Sequence, residues 1–164
     1  MANHTVYLSL GSNLGDRAGN LRAAVAALSG VGVRVTKVSS LYETEPVDYL
    51  EQPWFLNCAV EAETALAPPE LLRALRGIEA QLGSQKEFAK GPRILDMDIL
   101  LYGDETIDLP ELQIPHPRML RRNFVLAPLA EIAPTLKHPK WATNVAEIFA
   151  ASTDASQVKR FRPL

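Results

Sequence analysis

The chain has 164 residues, 47% of them hydrophobic and 22% charged, a balance typical of one globular domain with a sizeable core. Its 17 lysines and arginines against 19 aspartates and glutamates give a formal net charge of −2, which disfavours a nucleic-acid partner. One cysteine excludes an internal disulfide, and no apolar stretch is long enough for a membrane span or a secretion signal. We therefore expect a single cytoplasmic domain over residues 1–164, with no membrane partner.

The first part of the chain predicts three strands and one helix. Residues 5–10 are a short apolar run closed by Gly-Ser-Asn, which indicates a strand and a turn. Apolar residues recur at helical spacing over 16–28, and Gly30 marks the end of this helix. Segment 33–44 alternates imperfectly and is interpreted as one long strand, and FLNCAVEAE at 55–63 predicts another.

The second part predicts a further helix and strand, and then helices alone. PPELLRALRGIEAQLG at 68–83 begins with prolines that suit a first helical turn and carries one apolar stripe. GPRILDMDILLYG at 91–103 predicts a strand, so the order is β-α-β-β-α-β, typical of an antiparallel sheet with both helices on one face. Residues 119–133 and 143–151 are predicted helices on the other face, with Pro128 kinking or ending the first of them. The predicted fold is α+β, in three layers α/β/α.

Two aspartates, Asp96 and Asp98, interrupt the apolar run at 91–103, although carboxylates rarely enter an interior without a partner. Alternate residues of a strand share a face, so the two carboxylates lie together, about 6.5 Å apart. They suit one or two Mg²⁺ ions, which bind carboxylates along with water and phosphate oxygens. The alternative is that they face solvent or pair with arginines. The run is apolar on both faces, which disfavours an exposed edge strand.

Cations flank this pair in the sequence, at Arg93, His116, Arg118, Arg121 and Arg122. Guanidinium groups neutralise phosphates in a forked geometry, so the aspartates and cations together indicate a metal and a phosphate. The arginines also fit a solvated helix start, and His116 fits a packed core position equally well. Glu79 borders the apolar stripe of the second predicted helix, where Arg93 or a ligand could satisfy it. No P-loop or Rossmann motif is present.

Several segments occur together in the order known from one family: LGSNLGD, SSLYETEP, QPWFLNCAV, GPRILDMDILLYG and IPHPRMLRRNFVLAPLAEIAP. Through them the chain resembles the hydroxymethyldihydropterin pyrophosphokinases of folate biosynthesis, from Leu8 to about Pro134. The resemblance implies a ferredoxin-like core. It also implies transfer of pyrophosphate from ATP to the hydroxymethyl group of 6-hydroxymethyl-7,8-dihydropterin, with release of AMP. Asp96 and Asp98 would hold two Mg²⁺ ions.

Matching positions also imply the remaining site residues. Catalytic roles are implied for Asp96, Asp98 and Arg93, and contacts to ATP for Glu79, Arg93, Ile99, His116 and Arg122. The loop 84–92 lacks the arginines and the tryptophan that family members often carry there, so a contact from Lys86 to ATP is a separate hypothesis. Contacts to the pterin fall to Gly11, Thr44, Val47, Phe55, Asn57 and Phe124, with Asn13 shaping the pocket wall. The two phenylalanines also fit ordinary core packing, whereas an amide inside an apolar strand needs a buried partner. Segments 45–53 and 84–92 are implied to close over the substrates.

Two other functions stay open at this point. Since fold alone does not fix function, the main alternative is a non-catalytic ferredoxin-like module that binds a nucleotide or a protein. An RNA-binding domain of the same topology would need exposed strand aromatics and a basic surface, which the acidic balance disfavours. We expect the enzyme, as a monomer, with ATP and the pterin as substrates.

Overall fold

The computed structural model describes residues 3–46, 50–83 and 92–164. The core elements are, in order, β1 (His4–Ser12), α1 (Arg17–Leu28), β2 (Val33–Val38), β3 (Leu41–Thr44), β4 (Phe55–Thr64), α2 (Pro68–Gln81) and β5 (Asp96–Tyr102). If β2 and β3 are taken as one interrupted strand, this is the predicted order β-α-β-β-α-β. A short 3₁₀ turn over Ser29–Val31 ends α1.

The remaining elements are β6 (Ile107–Leu109), β7 (Leu112–Ile114), α3 (Asn123–Ile132), α4 (Val145–Ala150) and β8 (Val158–Arg162). The predicted helix 119–133 is divided, since Met119–Arg121 form a 3₁₀ turn and Arg122 is extended before α3 begins. Pro128 lies inside α3 and does not end it. The sequence did not predict β6, β7 or β8. None of the helices in the described ranges is long and apolar enough to cross a membrane.

The main sheet has the strand order β5-β1-β4-β3-β8, and β2 also pairs with β4. All of its pairings are antiparallel. Neighbouring residues of β1 point into separate cores, because Leu8 packs with residues of α1 and α2 and Tyr7 with residues of α3 and α4. The three-layer α/β/α arrangement and the ferredoxin-like core are therefore confirmed.

The long strand predicted over 33–44 is broken at Ser39 and Ser40. β2 pairs with the second half of β4, and β3 with its first half. At the break, the carboxylate of Glu131 in α3 accepts hydrogen bonds from the Ser40 N–H and hydroxyl and from the Tyr42 hydroxyl. The Ser39 N–H still donates to the Ala59 carbonyl of β4, so this helix side chain, 91 residues away, replaces strand pairing at Ser40, which local alternation of residues cannot predict.

The core on the α1 and α2 side contains the chain's single cysteine. Cys58 lies opposite Leu10 on neighbouring strands and is only 1% exposed. Burial raises the pKa of its thiol to about 12, because the thiolate form would lose its hydration. Cys58 is therefore a packed thiol that stays protonated at neutral pH.

Candidate active site

The register of the sheet brings three of the predicted site positions side by side. Gly11 of β1 lies opposite Asp96 of β5 on one side and Asn57 of β4 on the other. Directly opposed residues of antiparallel strands project on the same face, so only a glycine separates the carboxylate from the amide. A Cβ at Gly11 would lie 2.5 Å from Asn57 Oδ1. The absence of a side chain at Gly11 thus leaves the space that Asn57 occupies.

Thr44, Phe55 and Asn57 form one flank of Gly11. Together with Phe124, these residues are called the pterin side below, after the contacts that the resemblance implies. Asn57 is 4% exposed and Thr44 is 1% exposed, and Asn57 Nδ2 donates a hydrogen bond to Thr44 Oγ1. The expectation that the amide has a buried partner is thus confirmed. Phe55 lies opposite Thr44, and the half-buried Phe124 is the second residue of α3. Val47 lies outside the described residues.

The other flank, called the phosphate side, consists of Arg76, Glu79, Arg93, Asp96, Asp98, Ile99, His116 and Arg122. Its two aspartates sit at the start of β5, not in the middle of a strand, and Met97 between them points into the opposite core. Arg93 Nη1 lies 3.0 Å from Asp96 Oδ1, and Arg76 Nη2 lies 3.9 Å from Asp98 Oδ1. Both aspartates therefore have arginine partners, as the alternative interpretation of the sequence predicted.

The two carboxylates also act on each other. Burial and the neighbouring charge of Asp96 raise the pKa of Asp98 to about 6, while Arg76 and Arg93 lower it and Glu79 raises it. The side chains of Asp96 and Asp98 keep 25% and 34% of their surface exposed, so both are accessible from solvent. Negative charge is thus incompletely compensated here, a condition that a divalent cation would relieve.

Helix α2 holds the backbone between the two aspartates. The strand order places β5 at the end of the sheet, yet apart from the two aspartates its residues are buried, so it is an edge strand but not an exposed one. Glu79 Oε2 accepts from the Met97 N–H at 2.7 Å, and Arg76 Nη1 donates to the Met97 carbonyl at 2.8 Å. Arg76 also donates to Glu79 Oε2 at 2.8 Å. Glu79 therefore has Arg76 and Met97 as partners, where the sequence predicted Arg93 or a ligand.

Arg76 lies beside the predicted site residues Glu79 and Asp98, although the sequence did not single it out. Its signal was the i,i+3 spacing to Glu79, which places the two side chains together on one helix face. The Arg76 side chain reaches a cavity of about 280 Å³ beside Asp98, which is also lined by Ile99, Leu112, Gln113 and His116. Ile99 is buried at the wall of this cavity. The cavity adjoins the aspartates and has room for a small organic group.

His116 is fixed between β5 and the 3₁₀ turn. Its N–H donates to the Leu100 carbonyl at 3.0 Å, and its Nδ1 accepts from the Arg118 N–H at 3.2 Å. Burial and the positive charges of Arg122 and Arg118 lower the pKa of His116 to about 4, against a smaller opposing effect of Asp96. The ring is therefore neutral at pH 7, with its proton on Nε2. Arg122 stacks over the Phe124 ring, with 5.4 Å between Cζ and the centroid.

Asn13 connects the segments that lead into β4 and β5. Its Oδ1 accepts from the Arg93 N–H at 2.8 Å, and its own N–H donates to the Arg93 carbonyl at 3.1 Å. Its Nδ2 donates to Gln52 Oε1 and to the Pro53 carbonyl, both at 2.9 Å. One buried amide thus fixes Arg93 relative to the pterin side. Lys86 and residues 84–91 lie outside the described part of the chain.

The comparisons with known proteins agree with this geometry. A family model described as 7,8-dihydro-6-hydroxymethylpterin-pyrophosphokinase (HPPK) matches residues 7–134. The 2-amino-4-hydroxy-6-hydroxymethyldihydropteridine pyrophosphokinase of Bacillus subtilis is 55% identical over 131 residues, covering 79% of this chain and 78% of the relative. The protein of the same name from Pseudomonas aeruginosa is 42% identical over 147 residues, covering 89% of this chain and 90% of the relative.

Longer proteins contain a matching part. The folic acid synthesis protein fol1 of Pneumocystis carinii is 43% identical over 152 residues, which are 93% of this chain but only 20% of that protein. The crystal structure of Plasmodium falciparum HPPK-DHPS with pterin and p-hydroxybenzoate matches with a TM-score of 0.73 at 18% identity. That match covers 92% of this chain and 42% of the other, and at this identity it supports the fold alone. On the family model and the shorter relatives, this chain belongs to the 7,8-dihydro-6-hydroxymethylpterin-pyrophosphokinase family.

Proposed function

We propose that the chain transfers pyrophosphate from ATP to the hydroxymethyl group of 6-hydroxymethyl-7,8-dihydropterin, giving the pterin diphosphate and AMP in folate biosynthesis. Family membership and the names of the shorter relatives support this reaction. The observation that carries the proposal is the register at Gly11, which sets a carboxylate on one neighbouring strand and a buried amide on the other. A charged triphosphate and a flat heterocycle would meet at that position.

On the pterin side, neutral polar groups and aromatic faces would bind the bicycle. The side-chain amide of Asn57 can both donate and accept, as the edge of a pterin requires, and Thr44 fixes its orientation. Phe55 and Phe124 would stack on the ring faces. Gly11 would keep the space beside Asn57 open, and Val47 would supply a further apolar contact.

On the phosphate side, Arg93 and Arg122 would neutralise the phosphates, and Lys86 would add a point charge. The neutral His116 would donate from Nε2 to an acceptor on the nucleotide. Ile99 lines the cavity beside Asp98, which would hold the nucleoside part of ATP. We add Arg76 to the predicted set, and we assign Glu79 mainly to fixing Arg76 and the backbone of Met97.

Asp96 and Asp98 would hold Mg²⁺. Among the described residues no group of three or more His, Cys, Asp or Glu side chains could enclose a metal. The donor set nevertheless fits Mg²⁺, which is commonly bound by one or two carboxylates and completes its octahedron with water and phosphate oxygens. Two such ions would neutralise charge that develops on the transferred group and on the leaving AMP.

The rest of the catalytic effect would come from positioning and charge. Phosphoryl transfer needs the attacking and leaving oxygens in line, and little covalent chemistry from the protein. Asn13 holds Arg93 at a fixed place relative to the pterin side, so the attacking hydroxyl and the phosphates would be aligned by one rigid connection. The Asp98 carboxylate would also help the hydroxyl group lose its proton.

The non-catalytic alternative is not favoured, because the chain carries Asp96, Asp98, Arg93, His116 and Asn57 together. We propose that the enzyme acts as a monomeric, single-domain protein in the cytoplasm. Light scattering during size-exclusion chromatography tests the monomer, and cell fractionation tests the location.

Phosphorus NMR of the protein with ATP, MgCl₂ and 6-hydroxymethyl-7,8-dihydropterin tests the reaction. AMP and a pterin diphosphate are expected to appear in equal amounts. Omission of the pterin is the control and is expected to leave ATP intact. Formation of ADP, or no reaction, would contradict the proposed function, and equal activity in excess EDTA would contradict the Mg²⁺ requirement.

A further inference from the structure

Residues 152–162, called the distal segment below, lie beyond the region that the family model matches. The segment contains Ser152, the polar residues that follow it, and the strand β8. Two of its contacts with the main domain lie at the first turn of α3 and at the end of β3. Both places carry residues of the pterin side.

The first contact completes the start of α3. The residue before this helix is Arg122, whose side chain has no hydrogen-bond acceptor and so cannot cap the free N–H groups. Asp154 supplies the missing acceptor, since its Oδ2 accepts from the Asn123 N–H at 2.8 Å. Asn123 Nδ2 in turn donates to the Asp154 carbonyl at 3.1 Å. A carboxylate at this end of a helix also interacts favourably with the helix dipole.

Asp154 is itself held in place. Its Oδ1 accepts from the Ser156 N–H at 2.9 Å, and its own N–H donates to Ser152 Oγ at 3.2 Å. Burial raises the pKa of Asp154, but the hydrogen bonds from Asn123 and Ser156 and the charge of Arg122 outweigh this effect and lower it. The carboxylate is therefore ionised and preorganised for its contact with α3.

The second contact fixes the end of β3. Val158 lies opposite Thr44, the residue that bonds Asn57. Just beyond it, the Glu45 N–H donates to the Gln157 carbonyl, and the Gln157 N–H donates to Glu45 Oε1, both at 3.0 Å. The distal segment thus joins the strand that supports Asn57 to the helix that carries Phe124.

We propose that Asp154 is a positioning residue for the pterin side: by capping α3 from the distal segment, it orders Phe124 before the substrate arrives. Phe124 is the second residue of α3, so it lies within the turn that the cap stabilises. Without the cap this turn frays, and the substrate must order it on binding. The apparent affinity for the pterin then falls in proportion to the ordered fraction. This inference rests on the proposed function for the identity of the ligand.

The test compares Asp154→Ala with Asn144→Ala. Asn144 caps α4, since its Oδ1 accepts from the Glu147 N–H at 3.0 Å, and α4 carries no proposed site residue. Each variant loses one side-chain acceptor for a backbone N–H in the first turn of a helix. Asp154→Ala is expected to raise the Kd and KM for the pterin by up to about fivefold, the factor to which the typical free energy of one cap converts. Its kcat at saturation should stay within about twofold of wild type, and Asn144→Ala should leave both constants unchanged.

Amide hydrogen exchange of residues 123–127 supplies a readout that needs no turnover. Asp154→Ala should accelerate exchange there, Asn144→Ala should not, and Asp154→Asn should recover part of the protection because it keeps one acceptor oxygen. Pterin binding is followed by the fluorescence of the pterin itself. Equal effects of the two alanine variants on pterin affinity, or unchanged exchange in Asp154→Ala, would overturn the inference. Wild-type protein that binds the pterin but makes no AMP would overturn the proposed function alone.

Discussion

The phosphate side and the pterin side both adjoin Gly11, but the first is charged and the second is neutral. The phosphate side lies at the edge of the sheet, where Asp96 and Asp98 are partly exposed and paired with arginines. The pterin side lies on the interior strand β4 and its neighbour β3, where Asn57 and Thr44 are neutral, buried and bonded to each other. Charges at an edge keep the water that a metal and a triphosphate need, whereas buried neutral groups recognise a flat ring by excluding water. Under the proposed function, position in the sheet thus decides which ligand each flank would bind.

Replacement of the aspartates is the strongest test of this contrast between the two flanks. Asp96→Ala and Asp98→Ala are each expected to lower kcat by about 10³-fold, because each removes a carboxylate that would hold Mg²⁺ beside the transferred phosphates. Stability should respond differently. The pKa of Asp98 is raised in the folded protein, so ionised Asp98 destabilises the fold at pH 7. Removal of the Asp98 carboxylate should therefore not lower the urea concentration at which the protein unfolds. Steady-state kinetics and urea unfolding of the same samples check both statements, and wild-type turnover by either variant would exclude the catalytic role.

Glu79→Ala should lower the unfolding free energy more than Asp98→Ala does. The change leaves the Met97 N–H without its acceptor and Arg76 without its buried partner, which costs about 2–3 kcal/mol. Urea unfolding measures this loss. Glu70→Ala is the control, because the Glu70 carboxylate bonds the exposed Ala67 N–H at the start of the same helix. A loss no greater than that of Glu70→Ala would show that Glu79 does not hold the edge of β5.

On the pterin side, Gly11→Ala should weaken binding through geometry alone. The new Cβ would meet Asn57 Oδ1 at 2.5 Å, so the amide must move. We expect a loss of about 2 kcal/mol in unfolding free energy and about a tenfold rise in the KM for the pterin. Gly77→Ala is the matched control, because its Cβ would meet nothing within 4 Å and alanine favours a helix. An unchanged pterin KM in Gly11→Ala would argue against Asn57 as a pterin ligand.

The smallest expected effect concerns the protonation of His116. Its pKa of about 4 lies below that of an unfolded histidine, so between pH 6.5 and 4 the unfolded chain binds a proton that folded His116 does not. Stability from this group is therefore lost as pH falls. The difference in unfolding free energy between His116→Asn and wild type should therefore shift in favour of the variant by up to about 1 kcal/mol for each pH unit of acidification. This value is lowered to allow for the partial exposure of the ring. Urea unfolding at pH 7, 6 and 5 measures the difference, and NMR titration of the ring should give a midpoint well below 6.5.

Much of the fold was predictable because hydrophobic periodicity records which face of an element is buried. It gave the elements of the ferredoxin-like core and the helices on the second face. Periodicity does not report distant partners, so it missed the break between β2 and β3, where Glu131 replaces strand pairing at Ser40. It also missed β8, whose exposed, basic residues form a strand only because β3 offers a free edge.

The candidate site was predictable to the extent that a residue's own chemistry implied a partner. A buried amide in an apolar strand required a hydrogen bond, and Thr44 makes it with Asn57. The partners of charged groups were harder to predict, since long side chains reach across elements that the sequence does not order in space. Glu79 bonds Arg76 and the Met97 N–H, and Arg93 pairs with Asp96.

The buried Cys58 has a practical consequence. A thiol that is 1% exposed and has a pKa of about 12 will not react with maleimides or iodoacetamides while the protein is folded. Because it is the chain's single cysteine, any cysteine introduced at the surface would be the sole target of such reagents. Spectroscopic probes can therefore be attached one at a time to either flank of Gly11, without first removing a native thiol.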